Sequence, residues 1–153
     1  MFIGEYQHSL DEKGRVAVPS KFRAGLKSGA IVTRGLDHCL FVLEKTEWET
    51  LAKKLIAMPI AKSNSRAFVR LMLAGAMEVD LDIQGRILLP DYLRKYAGLS
   101  SGGGSASGGK KHVIIAGLYN RLEIWDEESW KRYKEKTEAS GDDIAEQLGE
   151  LGI

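Results

Sequence analysis

The sequence predicts an α+β fold made of two copies of one half-unit, and two observations carry that expectation. The first is repetition. The stretch SLDEKGRVAVPSKFR, Ser9 to Arg23, returns 71 residues later as DLDIQGRILLPDYLR, Asp80 to Arg94. That offset pairs Gly4 with Gly75, Leu10 with Leu81, Asp11 with Asp82, Gly14 with Gly85, Arg15 with Arg86, Pro19 with Pro90 and Arg23 with Arg94. Further on the offset becomes 82, where Gly35-Leu36 meets Gly117-Leu118, Leu40 and Val42 meet Leu122 and Ile124, and Trp48 meets Trp130. Ordered agreement of glycines, prolines, apolar positions and tryptophans marks an internal repeat. The second observation is the order of element signals, which is the same in both halves.

Each half opens with a tight turn, DEKGR or DIQGR, in which Asp bonds nearby backbone and Gly takes a positive φ. A short strand follows, around Val16-Ala17-Val18 and Ile87-Leu88-Leu89, and each is ended by proline. Next comes a short helical segment, SKFRAG or DYLRKYAG, with Gly25 and Gly98 expected at its C-terminal cap. A second strand pair follows, AIVTRG with CLFVL and HVIIAG with LEIWD. A helix closes each half. The first is expected to begin at Thr46 with Glu49 completing a capping box and to stop before Pro59; the second begins near Asp126. SRAFVRLMLAG predicts one more helix between the halves, and DDIAEQLGEL a terminal one.

The halves therefore divide as residues 1–74 and 75–138, with an acidic tail over 139–153. The step between the two offsets has a visible source in SSGGGSASGG, Ser100 to Gly109, which carries no charge and no apolar side chain larger than alanine. Removing it restores the register of the halves to within one residue. A natural loop insertion accounts for the tract; the preferred reading is an engineered flexible linker, which is excluded from fold reasoning.

Composition bounds the function. At 153 residues, 44% hydrophobic and 28% charged, the chain has the make-up of a globular protein with one shared core. No apolar run reaches membrane-span length, and the N-terminus has no basic region followed by an apolar core. The single cysteine, Cys39, excludes an internal disulfide framework and agrees with a reducing cytoplasm. The net charge of +1 hides a gradient. Glu138, Asp142, Asp143, Glu146 and Glu150 stand in a tail without Lys or Arg, which leaves 22 basic against 16 acidic residues, or +6, on the first 137. The body can meet a polyanion; the tail cannot.

The repeated pattern Asp-x-x-Gly-Arg-h-x-h-Pro, with h apolar, has a mechanical logic. Alternation along the strand buries Val16 and Val18 and sends Arg15 and Ala17 to the other face. Arg15 then leaves a rigid turn beside Lys13, with Lys21 and Arg23 just beyond the strand. Such cations grip phosphates, and an arginine also forks onto O6 and N7 of guanine. Asp11 and Gly14, like Asp82 and Gly85, shape the turn, and Asp11 holds Arg15 in one rotamer. The bland alternative is a Gly-Arg turn that only stabilises a hairpin. Lys13 becomes Gln84 and Lys21 becomes Tyr92 in the second copy. The first hairpin is therefore expected to lead, with Arg86 and Arg94 secondary.

LDEKGRVAVPSKFR resembles the AbrB-type swapped-hairpin DNA-binding module. The whole arrangement, from MFIGEYQHSLDEKGRVAVPSKFR to the repeat DLDIQGRILLPDYLR, is similar to the bacterial MraZ family of transcriptional regulators. The likeness spans the chain apart from Ser100 to Gly109. It implies two AbrB-like halves interlaced in one chain as a swapped-hairpin β-barrel with short flanking helices. It also implies a cytoplasmic, nucleoid-associated protein that forms ring-shaped homo-oligomers. Its expected partner is double-stranded DNA carrying repeated G-rich boxes, at the promoter of the division and cell-wall gene cluster. The family motif falls on Asp11 and Arg15 and on Asp82 and Arg86. The AbrB-like basic positions fall on Lys13, Arg15 and Arg23.

Other chemistries find no support in the residues. His8, His38, His112 and Cys39 have no metal-site spacing, and no acid/base pair or phosphate-binding glycine loop is present, so neither catalysis, a metal, a cofactor nor a small-molecule substrate is expected. CLFVL places Cys39 at the start of a buried strand. Trp48, Trp130, Phe68 and Leu71 are expected in core or subunit contacts rather than under bases. The rival reading is a protein-interaction ring or engineered scaffold with no DNA role.

Overall fold

The computed structural model describes residues 1–100 and 110–152. The Gly/Ser tract, apart from Ser100, therefore lies outside the described residues, and so does its reading as a linker. Among the described residues, eight strands form one antiparallel sheet: β1 (Phe2–Leu10), β2 (Arg15–Ala17), β3 (Ala30–Arg34), β4 (Leu40–Glu44), β5 (Met77–Val79), β6 (Arg86–Leu88), β7 (Lys111–Tyr119) and β8 (Leu122–Asp126). Their order is β5-β3-β4-β8-β7-β1-β2-β6, so four of the seven pairings join strands from different halves. The halves are interlaced, as the swapped-hairpin expectation requires. Exchange of the two halves maps the β1–β2 junction onto the ends of β5 and β6. There the Asp82 N–H donates to the Arg86 carbonyl at 2.8 Å, matching Asp11 to Arg15 at 2.9 Å, and the sheet nearly closes into a barrel.

The barrel interior is the main core. Val16, Val18, Ile87 and Leu89 of the two hairpins meet Phe22, Leu26, Leu93 and Leu99 from the segments after the prolines, with Leu40, Val42, Leu122 and Ile124 from the longer strands. Each such side chain, fully withdrawn from water, contributes about 1.5–3 kcal/mol. The opposite face of β8 is also buried, because Trp125 joins Cys39 and Ile114 in a smaller cluster covered by Phe41 and Trp130. Cys39 is thus interior, as CLFVL suggested, and burial raises its thiol pKa far above the usual range.

The described residues also form five α-helices: α1 (Lys45–Ile56), α2 (Ser63–Val69), α3 (Asp91–Tyr96), α4 (Glu127–Ala139) and α5 (Gly141–Leu148). Ser20–Leu26 forms the 3₁₀ counterpart of α3, each directly after its proline, and α2 continues into a wider π turn over Arg70–Ala74. None of the described helices is long and apolar enough to cross a membrane.

Two local expectations are corrected. Thr46 does not cap α1. Strand β4 runs straight into the helix, which begins at Lys45 with Glu44 at the cap position and no side-chain cap bond. The equivalent residue in the second half is Asp126, whose shorter carboxylate reaches the Ser129 N–H at 3.0 Å and does cap α4. Gly25 is not a C-terminal cap either, because the 3₁₀ segment continues to Leu26 and Gly29 takes the positive φ. Gly25 is needed for room: a β-carbon there would sit 2.6 Å from Glu44 Oε1 and 3.1 Å from the Phe2 ring. Gly98 does have the positive φ expected of a cap residue, at 68°.

Candidate nucleic-acid interface

Each repeated turn is built around its aspartate. Asp11 Oδ1 accepts from the backbone N–H groups of Lys13 and Arg15, both at 2.9 Å, and Oδ2 accepts from Arg15 Nε at 2.7 Å. Asp82 does the same for Gln84, Arg86 and Arg86 Nε at 2.9, 2.9 and 2.8 Å. Gly14 and Gly85, with φ of 82° and 75°, let their N–H groups return to the aspartate carbonyls. One carboxylate therefore fixes both the turn and the arginine that leaves it. Because only Nε is engaged by that aspartate, the Nη end of each guanidinium fork points on.

Strands β2 and β6 pair with each other, Arg15 opposite Leu88, Val16 opposite Ile87 and Ala17 opposite Arg86. The ladder extends through Val18 N–H to the Gly85 carbonyl and Leu89 N–H to the Gly14 carbonyl, both 2.9 Å. Residues opposite each other share a face, so Val16 and Ile87 enter the core while Arg15, Ala17, Arg86 and Leu88 line the outer face of one two-stranded ribbon. Arg15 and Arg86 keep 32% and 26% of their side-chain surface exposed, and Arg86 Nη1 comes within 3.8 Å of Asp11 Oδ2. The two motifs, 71 residues apart in sequence, present a single surface.

A search of sequence families matches the chain twice, over residues 1–71 and 72–150, to the family described as "MraZ protein, putative antitoxin-like". The chain belongs to the MraZ family. It is 48% identical to a protein named transcriptional regulator MraZ from Natranaerobius thermophilus and 48% identical to one from Acetivibrio thermocellus, each alignment covering the whole of both chains. A relative of the same name from Pediococcus pentosaceus is 47% identical, again over the full length of both.

The other predicted basic residues of this MraZ-family chain divide by location. Lys13 is exposed on the first turn and, with Arg15, Asp11, Glu12 and Lys110, lines a shallow open depression of about 290 Å³. Lys21 is exposed but leans over the Tyr6 ring at 5.0 Å. Arg23 and Arg94 are half-buried and cross over: Arg23 Nε donates to the Val18 carbonyl and lies on Gly85, while Arg94 Nε donates to the Leu89 carbonyl and lies on Gly14. Both arginines brace the turn of the other half.

Lys110 went unnoticed in the sequence because it follows the Gly/Ser tract. Pairing of Lys111 with Leu10 in the β1–β7 ladder brings it to the first turn. The apolar tips escaped attention as well: Ile83 is fully exposed on the second turn, and Leu88 is 55% exposed beside Arg15. Trp48 and Phe68 are half-buried on α1 and α2, away from the ribbon, and Trp130 packs on Trp125.

The turn carboxylates are held in their charged form. For Asp11, burial works to raise the pKa, but the Arg15 backbone N–H, side chain and charge, with the Lys13 N–H, outweigh it and lower the value. For Asp82 the Arg86 backbone N–H leads the lowering. Each site thus keeps an anion and a guanidinium locked together above acidic pH.

Proposed function

We propose that this chain is a sequence-specific, DNA-binding regulator of transcription, and that the β2–β6 ribbon is its reading head. The relatives named transcriptional regulator MraZ support the regulatory role. The observation that carries the DNA contact is the pair Arg15 and Arg86, held by Asp11 and Asp82 on the outer face of one rigid ribbon. A two-stranded ribbon fits the major groove of B-form DNA. There the Nη groups of Arg15 and Arg86 fork onto guanine, Leu88 offers an apolar contact for a thymine methyl, and Lys13, Lys21 and Lys110 hold phosphates. Arg23 and Arg94 act first as braces of the turns and second as backbone contacts.

The partner in this reading is duplex DNA with repeated G-rich boxes, at the promoter of the division and cell-wall gene cluster, and the protein acts in the cytoplasm at the nucleoid. One ribbon covers few base pairs, so several copies joined in a ring would gain avidity from evenly spaced boxes. The test is a titration of labelled duplexes carrying such boxes by wild type, Arg15→Lys and Arg15→Ala. Wild type should prefer the G-rich duplex over a scrambled one. Both variants should lose that preference, Lys keeping more non-specific affinity than Ala. Equal binding by all three would overturn the assignment.

A further inference from the structure

The two turns of the ribbon share one backbone and differ in what they present. In each, the aspartate Oδ1 accepts from the N–H groups two and four residues on, and the glycine N–H returns to the aspartate carbonyl. These bonds engage the backbone and leave free the side chains of the two residues between Asp and Gly. In the first turn those residues are Glu12 and Lys13, both charged and exposed. In the second they are Ile83 and Gln84. Ile83 is fully exposed, and so available to a partner. Gln84 is exposed as well; its backbone N–H goes to Asp82, and its carboxamide has no hydrogen-bond partner among the described residues.

Antiparallel pairing sets the two tips at opposite ends of the ribbon, because Arg15 stands opposite Leu88 and Arg86 opposite Ala17. The first end is cationic, with Lys110 brought beside Lys13. At the second end Gln84 stands in the place of that lysine. Tyr92, in the place of Lys21, turns its hydroxyl onto the Gly75 carbonyl at 2.9 Å. A single exposed aliphatic residue is ordinary on a protein surface. Here it is paired with a free carboxamide on a rigid turn, beside an arginine of the outer face. Such a tip is a poor ligand for phosphate, which takes Lys and Arg. It suits the major-groove edge of an A·T pair, where a glutamine forks onto N6 and N7 of adenine and an apolar side chain meets the C5-methyl of thymine.

We infer that the second turn is a specificity determinant for an A·T pair on one side of the guanines, Gln84 bonding the adenine and Ile83 packing on the thymine methyl. This rests on the reading of the ribbon as a DNA contact and adds a direction to it. The first turn holds phosphate through Lys13 and Lys110 and reads no base there. The ribbon is then chemically polar, although its backbone is close to twofold symmetric. Each copy recognises its box in one orientation only, with the A·T pair at the end that the second turn reaches.

The test is fluorescence anisotropy of the full chain on labelled duplexes carrying G-rich boxes, in which each A·T pair flanking the guanines is changed in turn to G·C. Wild type should lose about tenfold in affinity for a change on one side of the guanines and nothing for the matching change on the other. Gln84→Ala should bind the A·T and G·C duplexes equally. Replacing the contacted thymine by deoxyuridine removes only the methyl group, and this should weaken wild type but leave Ile83→Ser unaffected. Gln84→Lys, which copies the first turn, should erase the A·T preference and steepen the slope of log affinity against log salt by about 1. Ile83 and Gln84 make no side-chain contact that holds the turn, so the variants should keep the wild-type melting temperature.

Full A·T discrimination by Gln84→Ala together with an undiminished methyl effect in Ile83→Ser would overturn the inference. Equal losses for changes on both sides of the guanines would overturn it too, since the first turn has no such tip. A wild type that prefers G-rich duplexes over scrambled ones yet ignores every flanking A·T pair would sink the second-turn assignment and leave the arginine reading standing. A wild type with no preference for G-rich duplexes would overturn both, so the two failures are distinguishable.

Discussion

The guanidinium of Arg94 lies across Gly14, so close that a β-carbon on residue 14 would stand 2.7 Å from Arg94 Cζ. The first turn is thereby clamped by a residue from the second half. Gly14→Ala meets two penalties, the positive φ and the displaced Arg94, whereas Gly98→Ala meets only the first, because nothing lies within 4 Å of its β position. A non-glycine residue at such a φ costs about 1–3 kcal/mol. In urea denaturation Gly14→Ala should lose more stability than Gly98→Ala; equal losses would show that the clamp yields freely.

The aspartates give the fold an acid limit. A carboxyl whose folded pKa lies below its unfolded value adds stability that is complete above the unfolded value and lost as pH falls through the folded one. Asp11 and Asp82 are both lowered, so their contribution fades below about pH 4, where unfolded aspartate takes up its proton. Asp11→Asn keeps one acceptor oxygen but removes the charge opposite Arg15. The variant should be less stable than wild type at pH 7, and the gap should narrow as pH drops towards 3. Parallel stability curves down to that pH would refute a role for the charge.

On the proposed DNA reading, salt dependence would separate cations that hold phosphate from those that brace the fold. Each phosphate contact removed should reduce the slope of log affinity against log salt by about 1. Lys13→Ala and Lys110→Ala should each flatten that slope while leaving thermal stability unchanged. Arg94→Ala should instead lower the melting temperature through the loss of its bond to the Leu89 carbonyl. A Lys110 variant with the full wild-type slope would remove that residue from the interface.

Asp126 ties three elements together at the end of β8. Its Oδ2 accepts from the Ser129 N–H and hydroxyl at 3.0 and 2.9 Å, and its Oδ1 meets Lys111 Nζ at 2.7 Å. Loss of an N-cap alone costs about 0.5–2 kcal/mol. Asp126→Ala should fall at or above the top of that range, because Lys111 on β7 loses its partner as well. Asp126→Asn should recover part of the loss by keeping the cap; identical melting curves for the two would assign the whole effect to the ion pair.

The turns were legible because their chemistry is local. Asp, Gly and Arg at fixed offsets dictate the same bonds wherever the segment folds, and Val16 and Val18 alternate into the core as their spacing requires. Thr46 misled because a capping box is also read locally, whereas the start of α1 is imposed by the strand that delivers the chain at Glu44. Gly25 misled for a related reason: its small size answers to Glu44 and Phe2, neither of them near in sequence.

By itself, then, the sequence determined the duplication, the two Asp-anchored turns, the helix after each proline and the opposition of a basic body to an acidic tail. Only the tertiary structure decided that the turns would lie side by side in one ribbon, that Arg23 and Arg94 would cross between halves, and that Lys110 would join Lys13. The physical reason is range. Turn and cap bonds are fixed within a few residues, but strand partners 71 residues apart are chosen by the burial of a shared core, and that choice is made by the whole chain at once.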